Sequence, residues 1–377
     1  MKVFQGPGRP TYAEIDLKAL AFNYRQIQKR IPPGVGILGI VKADAYGHGA
    51  LPVARKLEEL GSPYLGVAIS DEGVELRKGG VKAPILVFSG VFPEDVHQFL
   101  KFDLTPVVFQ KESLHLLSKA AEGRRKKLKI HLKVDTGMGR LGVRPESWGA
   151  FLTEVKRFPN VEVEGILSHF SMTDDEEVPY TVEQWGKFQE ALAVAQGARI
   201  FPRYVHISSS ANLAAFPSYS GNLVRPGIIL YGAYPSVFTR QHLQLKPLMT
   251  LKTRVQYLKT VPAGTRISYG GTFVAKRDSL IATLSVGYAD GYNRRLSNQG
   301  EVLIRGRRAP VVGRVCMDFI MVDVSGIRGV AMGDEVVLLG KQGKEQIPAE
   351  EIAQKTGTIA YEVFCLIGKR VPRVFKG

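Results

Sequence analysis

Cysteine is scarce in this sequence: only Cys316 and Cys365 occur among the 377 residues. Such low usage is typical of a protein from a reducing compartment, where disulfide bonds do not persist. Neither cysteine stands in a spacing typical of metal ligands, so the sequence offers no cysteine-based metal site, and no metal is expected. We predict that both side chains are buried thiols in a cytoplasmic protein.

Long hydrophobic runs are also absent. No apolar stretch approaches the roughly 18 to 20 residues that a membrane-spanning helix needs. The N-terminal residues "MKVFQGPGRP" lack the apolar segment of a secretory signal. We therefore expect neither membrane association nor secretion.

Acidic residues are outnumbered, with 35 Asp and Glu against 51 Lys and Arg, and the formal net charge is +16. A nucleic-acid partner is one interpretation of such an excess. However, the basic residues are dispersed, and the densest runs are "GRRKKLK" (123–129) and "RGRR" (305–308). Neither run is interleaved with aromatic residues, as a groove that stacks bases would be. We therefore predict no nucleic-acid partner, and a solvated basic surface that attracts anionic ligands.

Short apolar runs rich in β-branched residues alternate with helical patterns up to about residue 235. The strand candidates are 35–43, 64–69, 83–88, 104–109, 129–135, 161–170, 204–210 and 223–232, and the clearest helical segments are 17–31, 50–61, 71–80 and 181–197. Eight strands that alternate with helices predict a parallel (β/α)8 barrel of the TIM type. An open doubly wound sheet is the alternative, although no G-x-G-x-x-G follows the first strand.

The pattern changes after about residue 240. Short strand-like runs separated by glycine turns replace the long helices, and one further helix is predicted at 349–357. We therefore predict two domains, a barrel over residues 1–240 and a mostly-β C-terminal domain over residues 241–377.

Polar side chains stand at the carboxyl ends of several predicted barrel strands. In such barrels these strand ends face one shared site. The residues that this places together are Lys42, Tyr46, Lys133, Asp135, Arg140, His169, His206, Ser209, Ser210, Arg225, Gly227 and Ile228. Singly, none is specific: His169 has the alternative of a core histidine, and Arg225 that of a surface arginine before a proline turn.

Together, these residues have the parts of a site for a phosphorylated cofactor. Backbone N–H groups and small hydroxyl side chains suit a phosphate at a helix N-terminus. Arg225 is able to hydrogen-bond a heteroaromatic nitrogen, and a lysine such as Lys42 forms imines with carbonyl groups. The combination indicates pyridoxal 5'-phosphate.

Seven ordered motifs carry a resemblance to a known family. They are "VKADAYGHG" (41–49), "KVDTGMGRLG" (133–142), "HISSSA" (206–211), "VRPGIILYG" (224–232), "SYGGTF" (268–273), "GYADGY" (287–292) and "GRVCMDFIMVD" (313–323). With these motifs the chain resembles the alanine racemases, which are barrel-type enzymes that depend on pyridoxal phosphate. The resemblance extends over nearly the whole chain, from residue 12 to residue 365.

The resemblance implies a two-base racemase with a shared active site. Lys42 would hold the cofactor and act as one catalytic base, and Tyr269 from a second subunit, assisted by His169, would act as the other. This arrangement requires a homodimer and would supply D-alanine for peptidoglycan. The cofactor-binding residues that the resemblance implies are Lys42, Tyr46, Arg140, His169, Ser210, Arg225, Gly227, Ile228 and Tyr361.

Further roles follow from the same resemblance. Lys133 is a candidate for carbamylation by CO2, which would orient Arg140 toward the cofactor; an ion pair between unmodified Lys133 and Asp135 is the alternative. Arg140 and Met317 would bind the substrate carboxylate, while the tyrosines Tyr288 and Tyr361 would narrow the entrance for a small amino acid.

Arg225 permits one inference from chemistry. An arginine only donates hydrogen bonds, so it disfavours a proton on the ring nitrogen and weakens the cofactor as an electron sink. This limits transamination and decarboxylation as side reactions. Asp44 and Ser209 depart from the asparagines usual in the family, and we expect a structural role for Asp44.

Competing functions remain open at this point. A serine racemase or a racemase of broad specificity has the same features. A barrel-type decarboxylase of basic amino acids has a similar fold but would be expected to place an acidic residue where Arg225 stands. A small carrier of pyridoxal phosphate would lack the C-terminal domain and Tyr269.

Overall fold

A computed structural model describes residues 8–123, 127–171 and 178–377 of the chain. The basic run at 123–129 therefore lies partly outside the described residues. Up to residue 235 the elements are β1 (Tyr12–Asp16), α1 (Leu17–Arg30), β2 (Gly36–Ile40), α2 (Lys42–Gly47), α3 (Ala50–Glu59), β3 (Tyr64–Val67), α4 (Ser70–Lys78), β4 (Ile85–Val87), α5 (Val96–Lys101), β5 (Leu104–Val108), α6 (Lys111–Ala120), β6 (Leu128–Lys133), α7 (Pro145–Val155), β7 (Val161–Leu167), α8 (Val178–Gly197), β8 (Tyr204–His206), α9 (Ser210–Ala215) and β9 (Leu223–Val224).

Strands β2 to β9 form one parallel sheet in the order β9-β2-β3-β4-β5-β6-β7-β8. A bridge between His206 and Gly221 connects the end of β8 to the residues just before β9, so the sheet is nearly closed. The predicted barrel is confirmed, and each of the eight strand candidates overlaps one observed strand. The strands are short and their residues are mostly buried, as expected for a parallel sheet with helices packed around it.

The second part of the chain is rich in strands, as predicted. Its elements are α10 (Val237–Arg240), β10 (Met249–Val261), β11 (Arg266–Ile267), β12 (Phe273–Val274), β13 (Ser279–Leu284), β14 (Glu301–Ile304), β15 (Arg307–Pro310), β16 (Ile320–Asp323), β17 (Glu335–Gln342), β18 (Glu345–Ile347), α11 (Ala349–Thr356), α12 (Ala360–Cys365) and β19 (Arg373–Lys376). Strand β10 is central, because β1, β13 and β17 all pair with it. Helix α11 confirms the helix that was predicted at 349–357.

Strand β1 precedes the barrel in the sequence but belongs to the second sheet. It pairs antiparallel with β10 and parallel with β19, close to the C-terminus. The Asp16 side chain accepts hydrogen bonds from the backbone N–H groups of Lys18 and Ala19, and so ends β1 and begins α1. The first described strand therefore belongs to the C-terminal sheet, and the chain enters the barrel directly from it.

Two further expectations concern surfaces. The prediction that both cysteines are buried is wrong, because Cys365 is exposed and Cys316 is only partly buried. Cys316 lies in the loop between β15 and β16, and Cys365 is the last residue of α12. Among the described residues, no helix combines the length and the apolar character needed to cross a membrane.

Candidate active site

A cavity of about 390 Å³ opens at the carboxyl ends of the barrel strands. It brings together most of the residues that sequence analysis singled out. The lining side chains among them are Lys42, Tyr46, Lys133, Arg140, His169, Ser209, Ser210, Arg225 and Tyr361, together with Gly227. A cavity of this size is typical of a small-molecule site.

The segment that carries Lys42 has an unusual backbone. Ala43, Asp44, Ala45 and Tyr46 form a left-handed turn, with φ of 52° to 53° at each residue. This conformation costs roughly 1–2 kcal/mol per residue for side chains other than glycine, so other contacts must hold it. The turn places both Lys42 and Tyr46 on the wall of the same cavity.

Two buried or half-buried side chains stabilise this turn. The ring of His48 is fully buried, and burial lowers its pKa to about 4, so the ring is neutral. Its Nδ1–H lies 3.1 Å from the carbonyl of Ala45 and 2.9 Å from that of Tyr46. Glu72, on α4, accepts a hydrogen bond of 2.6 Å from the backbone N–H of Ala43. Sequence analysis missed both roles, since nothing in the sequence marks this turn as left-handed.

Asp44 also acts within this segment. Its carboxylate accepts a hydrogen bond of 2.7 Å from the backbone N–H of Ala50, at the start of α3. Helix N-termini leave such N–H groups without intrahelical partners. The contact agrees with the structural role expected for Asp44.

Lys42 itself lies in a setting that favours its neutral amine. Burial, with the positive charge of Arg140, lowers the pKa of Lys42, although Glu72 opposes this effect. A lysine with a lowered pKa is a better nucleophile and base near neutrality.

A second wall of the cavity is built by α9 and the turn before Ile228. The Ser210 hydroxyl accepts a hydrogen bond of 2.8 Å from the backbone N–H of Gly227. A Cβ atom at Gly227 would lie only 2.5 Å from the hydroxyl oxygen of Tyr46, so any larger residue would require Tyr46 to move. Burial raises the pKa of Tyr46, and its hydroxyl therefore stays protonated. This wall places the Ser210 and Tyr46 hydroxyls and the backbone of Gly227 at the cavity.

Arg225 is almost fully buried and contacts only neutral acceptors. Its guanidinium donates to the carbonyls of Ser168 (2.8 Å) and Ile207 (2.9 Å), to Nδ1 of His206 (2.9 Å) and to Nδ1 of His169 (3.0 Å). Within the described part of the chain, no carboxylate lies within ion-pairing distance of it. Burial lowers the pKa of Arg225 to about 9, so the group is still charged at neutral pH.

The contacts of Arg225 define the protonation state of His206 and His169. An arginine donates and never accepts, so Nδ1 of His206 and Nδ1 of His169 must both be unprotonated. Burial and the nearby charge of Arg225 lower the pKa of each ring well below its ordinary value. Both imidazoles are therefore neutral, with their proton on Nε2.

Lys133 is buried near two other cationic side chains, Arg225 and Arg140. Burial, followed by the charges of Arg225 and Arg140, lowers the pKa of Lys133 to about 8. The alternative ion pair with Asp135 is not formed, because the Asp135 carboxylate accepts hydrogen bonds from the N–H groups of Gly137 and Gly139 instead. Over the residues described, no carboxylate lies within 4.0 Å of the Lys133 amine. Asp135 thus shapes the loop that carries Arg140.

Six of the predicted residues do not line the cavity of this chain: Asp135, His206, Ile228, Tyr269, Tyr288 and Met317. Tyr269 lies on a short 3₁₀ turn, Tyr269–Gly271, with 70% of its surface exposed. Met317 is 52% exposed, and Ile228 is buried behind Gly227. The pairing of Arg140 with Met317, and of His169 with Tyr269, is therefore absent from a single subunit.

Comparison with known proteins agrees with this site. A family model described as alanine racemase, N-terminal domain, matches residues 15–235, and the corresponding C-terminal domain matches residues 248–375. The alanine racemase of Halothermothrix orenii is 50% identical over 368 residues, which are 98% of this chain and 97% of that protein. That of Geobacter sulfurreducens is 47% identical over 371 residues, 97% of each chain.

Solved structures give the same result. An alanine racemase structure from Clostridium difficile 630 superimposes with a TM-score of 0.93 at 37% identity, covering 98% of this chain and 97% of that one. The structure of alanine racemase from Bacillus anthracis with bound L-Ala-P gives a TM-score of 0.92 at 40% identity, covering 98% of this chain and 95% of the other.

Proposed function

This chain belongs to the alanine racemase family, and we propose that it interconverts L-alanine and D-alanine with two bases, Lys42 and Tyr269 of the partner subunit. The observation that carries the proposal is the contrast between a cavity lined by Lys42 and an exposed Tyr269 outside it. A second copy of the chain would bring the tyrosine to the open side of the cavity. The product D-alanine would serve peptidoglycan synthesis in the cytoplasm.

Pyridoxal 5'-phosphate fits the residues present. The Ser210 and Tyr46 hydroxyls and the backbone of Gly227 form a wall suited to a phosphate, with space that a side chain at position 227 would fill. The backbone N–H of the adjacent Ile228, whose side chain is buried outside the cavity, would complete this wall. Arg225 offers a buried donor, and Tyr361 lines the same cavity. When bound, the cofactor supplies an electron sink that makes the Cα–H bond of an amino acid acidic.

The chain's own residues then move the proton. Lys42, whose pKa is lowered by burial, would remove or return the proton at Cα on one face. The Tyr269 hydroxyl of the partner subunit would do the same on the opposite face. Inversion requires both groups, because a single base returns the proton to the face from which it came.

His169 assists the tyrosine in this proposal, although not as a cation. The ring is neutral, with Nδ1 occupied by Arg225, so its Nε2–H is the group available to donate to a tyrosine oxygen. The positive charge that favours an ionised tyrosine therefore comes from Arg225, behind the ring. An unperturbed tyrosine titrates at about 10, so this assistance is needed near neutrality.

Arg225 also limits side reactions in this proposal. Its guanidinium donates to four neutral acceptors and has no carboxylate neighbour among the described residues, so it remains a donor to the ring nitrogen. The acidic partner that a barrel-type decarboxylase would need is missing at this position.

We further propose that Lys133 is carbamylated. An amine with its pKa lowered to about 8 is partly neutral at physiological pH and able to react with CO2. The carbamate would be an anion between Arg140 and Arg225, which removes an unfavourable cluster of three positive charges. Protein prepared in ¹³C-labelled bicarbonate should show one carbamate signal that the Lys133→Met variant lacks; an unchanged signal would exclude this site.

Substrate size would be set by residues outside the barrel. Arg140 and the partner's Met317 would bind the carboxylate, with Tyr288 and Tyr361 at the entrance. These assignments, and domain limits of 1–240 and 241–377, are proposals. A serine or broad-specificity racemase would use the same site, so the assay below includes other amino acids.

The test is racemisation in heavy water. Purified protein with added pyridoxal phosphate is given L-alanine, L-serine, L-lysine and L-ornithine separately. We expect D-alanine with deuterium at Cα as the main product. Racemisation of another amino acid in preference to alanine would overturn the assignment of alanine as the substrate. Loss of CO2 from a basic amino acid would favour a decarboxylase.

Co-expression of two inactive variants tests whether each active site is shared between two subunits. In a dimer of one Lys42→Ala chain and one Tyr269→Phe chain, one of the two sites contains both intact bases. Random pairing of co-expressed chains should therefore restore about one quarter of the wild-type activity. No recovery would show that Tyr269 does not act across subunits.

A further inference from the structure

A column of buried polar side chains runs through the barrel from Arg225. It consists of His206 at the end of β8, His131 on β6 and Glu164 on β7. All three side chains are almost completely buried. Barrel interiors are normally filled by branched apolar residues, and buried polar groups are unfavourable unless they are bonded to each other. The column therefore calls for a role beyond packing.

The two hydrogen bonds of this column are directed the same way, and a charge contact that is longer than a hydrogen bond follows them. Arg225 donates to Nδ1 of His206, which leaves the His206 proton on Nε2. Nε2 of His206 lies 2.9 Å from Nδ1 of His131, so His206 donates and His131 accepts. The His131 proton is then on Nε2, which lies 3.7 Å from the carboxylate of Glu164. A group that only donates begins the column, and a group that only accepts ends it.

Glu164 is held in its ionised state at the far end. Tyr64 donates to it at 2.7 Å, and the ammonium of Lys129 lies 2.5 Å from its other oxygen. Burial raises the pKa of Glu164, but the contacts with His131, Lys129 and Tyr64 outweigh burial and lower it to about 2. The carboxylate therefore presents a permanent negative charge to Nε2 of His131.

Reversal of the column would disrupt Arg225. If Nδ1 of His131 carried the proton, it would donate a hydrogen bond to Nε2 of His206. His206 would then have to carry its own proton on Nδ1. That proton would face an N–H of Arg225, and the guanidinium would lose one of its few acceptors. The carboxylate at Glu164 disfavours this state, because an unprotonated Nε2 of His131 would then face a negative charge.

We propose that Glu164 is a positioning residue for Arg225: acting through His131 and His206, it selects the imidazole tautomers that leave Nδ1 of His206 free to accept from the guanidinium. The part of this inference that concerns the cofactor rests on the proposed function, because Arg225 is there the donor to the ring nitrogen. The part that concerns the tautomers depends on the protein alone.

The test combines imidazole ¹⁵N NMR with cofactor titration. In the wild-type protein, Nδ1 should be unprotonated and Nε2 protonated in both His131 and His206. In Glu164→Gln, an amide N–H is able to face His131, so we expect a mixture of tautomers in both rings. We also expect a dissociation constant for pyridoxal phosphate about tenfold higher, which is the effect of weakening roughly one hydrogen bond to a charged group.

The matched control is Glu162→Gln, on the same strand but exposed, which should alter neither readout. Unchanged tautomers and affinity in folded Glu164→Gln would overturn the proposal. If that variant does not fold, the wild-type spectrum still decides, since a protonated Nδ1 on either ring would contradict the column. Failure of the wild-type protein to bind pyridoxal phosphate would instead refute the proposed function and leave the NMR result standing.

Discussion

The two bases of the proposed reaction lie in opposite structural settings. Lys42 follows a barrel strand, on a strained turn that His48 and Glu72 hold, in a cavity shared with two buried cations, Lys133 and Arg225. Tyr269 stands on a three-residue 3₁₀ turn of the second domain, mostly exposed. One base is thus prepared within its own chain, whereas the other would depend on a partner in the proposed reaction. The comparison predicts that the two bases respond differently to substitution.

The largest effect should follow from Lys42→Ala. Because Lys42 serves as a base and would also hold the cofactor, we expect racemisation to fall by about 10⁴-fold or more. Exchange of the Cα proton with heavy water should be lost for both alanine enantiomers. Lys78→Ala, an exposed lysine on α4, is the control and should behave as wild type. Substantial exchange in Lys42→Ala would show that Lys42 is not needed for proton removal.

Tyr269→Phe should separate inversion from exchange. Racemisation should fall by about 10³-fold, within the usual range for loss of a general acid or base. Proton exchange should continue for one enantiomer, since Lys42 still removes and returns a proton on its own face. Chiral chromatography and mass spectrometry measure the two rates. Tyr257→Phe, another exposed tyrosine of the second domain, should leave both unchanged; equal loss of exchange for both enantiomers in Tyr269→Phe would contradict the two-face assignment.

The same contrast explains what the sequence was able to predict. The barrel strands were recognisable because short apolar runs recur between amphipathic helices, and parallel topology then places Lys42, Arg140 and Arg225 at one end. Tyr269 was assigned only through the family resemblance. No local property of residues 268–273 indicates a catalytic role, since in the proposed reaction the setting of Tyr269 would be completed by a second chain.

Other features depend on contacts distant in sequence. The left-handed turn at 43–46 contains two alanines, whose local preference is for the right-handed region. Strand β1 has a period-two burial pattern but no signal for its partners, β10 and β19, which lie more than 230 residues away. The column from Arg225 to Glu164 was missed for the same reason. His131 and Glu164 lie within predicted strands, and only the closed barrel brings them together.

The buried Lys133, in the same cavity as Lys42, should make the stability of the protein depend on pH. Its pKa is lowered from 10.5 to about 8, so between these values the unfolded chain binds the proton more tightly than the folded one. Below pH 8 the buried Lys133 is charged and destabilises the folded state to the full extent. The free energy of unfolding of the uncarbamylated protein should therefore rise from pH 8 to 10.5, by up to about 3 kcal/mol.

Urea unfolding at about pH 7 and about pH 10, in buffers free of CO2, measures this rise. Lys133→Met should lack it, so the difference between variant and wild type should shrink as the pH increases. Bicarbonate should reduce the effect by converting the amine into a carbamate. The exposed Lys127→Met is the control. A difference that is the same at both pH values would refute the buried, uncarbamylated cation.

Gly227→Ala tests how closely the cavity wall is built. The added Cβ would lie 2.5 Å from the Tyr46 hydroxyl, so Tyr46 must move and affinity for pyridoxal phosphate should fall about tenfold. In Gly186→Ala, on helix α8, the new Cβ meets no atom within 4 Å. That control should leave affinity unchanged and raise stability by about 0.5–1 kcal/mol. Equal affinities in the two variants would mean that Tyr46 and Gly227 do not form the phosphate wall.

The smallest effect should come from Asp44, which separates support of the turn from binding. Asp44→Ala removes the acceptor for the Ala50 N–H and places alanine at a φ of 53°, so unfolding should become easier by about 1–2 kcal/mol. Asp44→Asn keeps both the acceptor and a residue that tolerates this conformation, and should change stability by less than about 0.5 kcal/mol. Because the Asp44 carboxylate is engaged with α3, neither variant should alter cofactor affinity more than about twofold. A large loss of cofactor affinity in Asp44→Asn, without loss of stability, would place the Asp44 carboxylate in the binding site. The segment that carries Lys42 would then contribute to binding through the charge of Asp44 as well as through its strained turn.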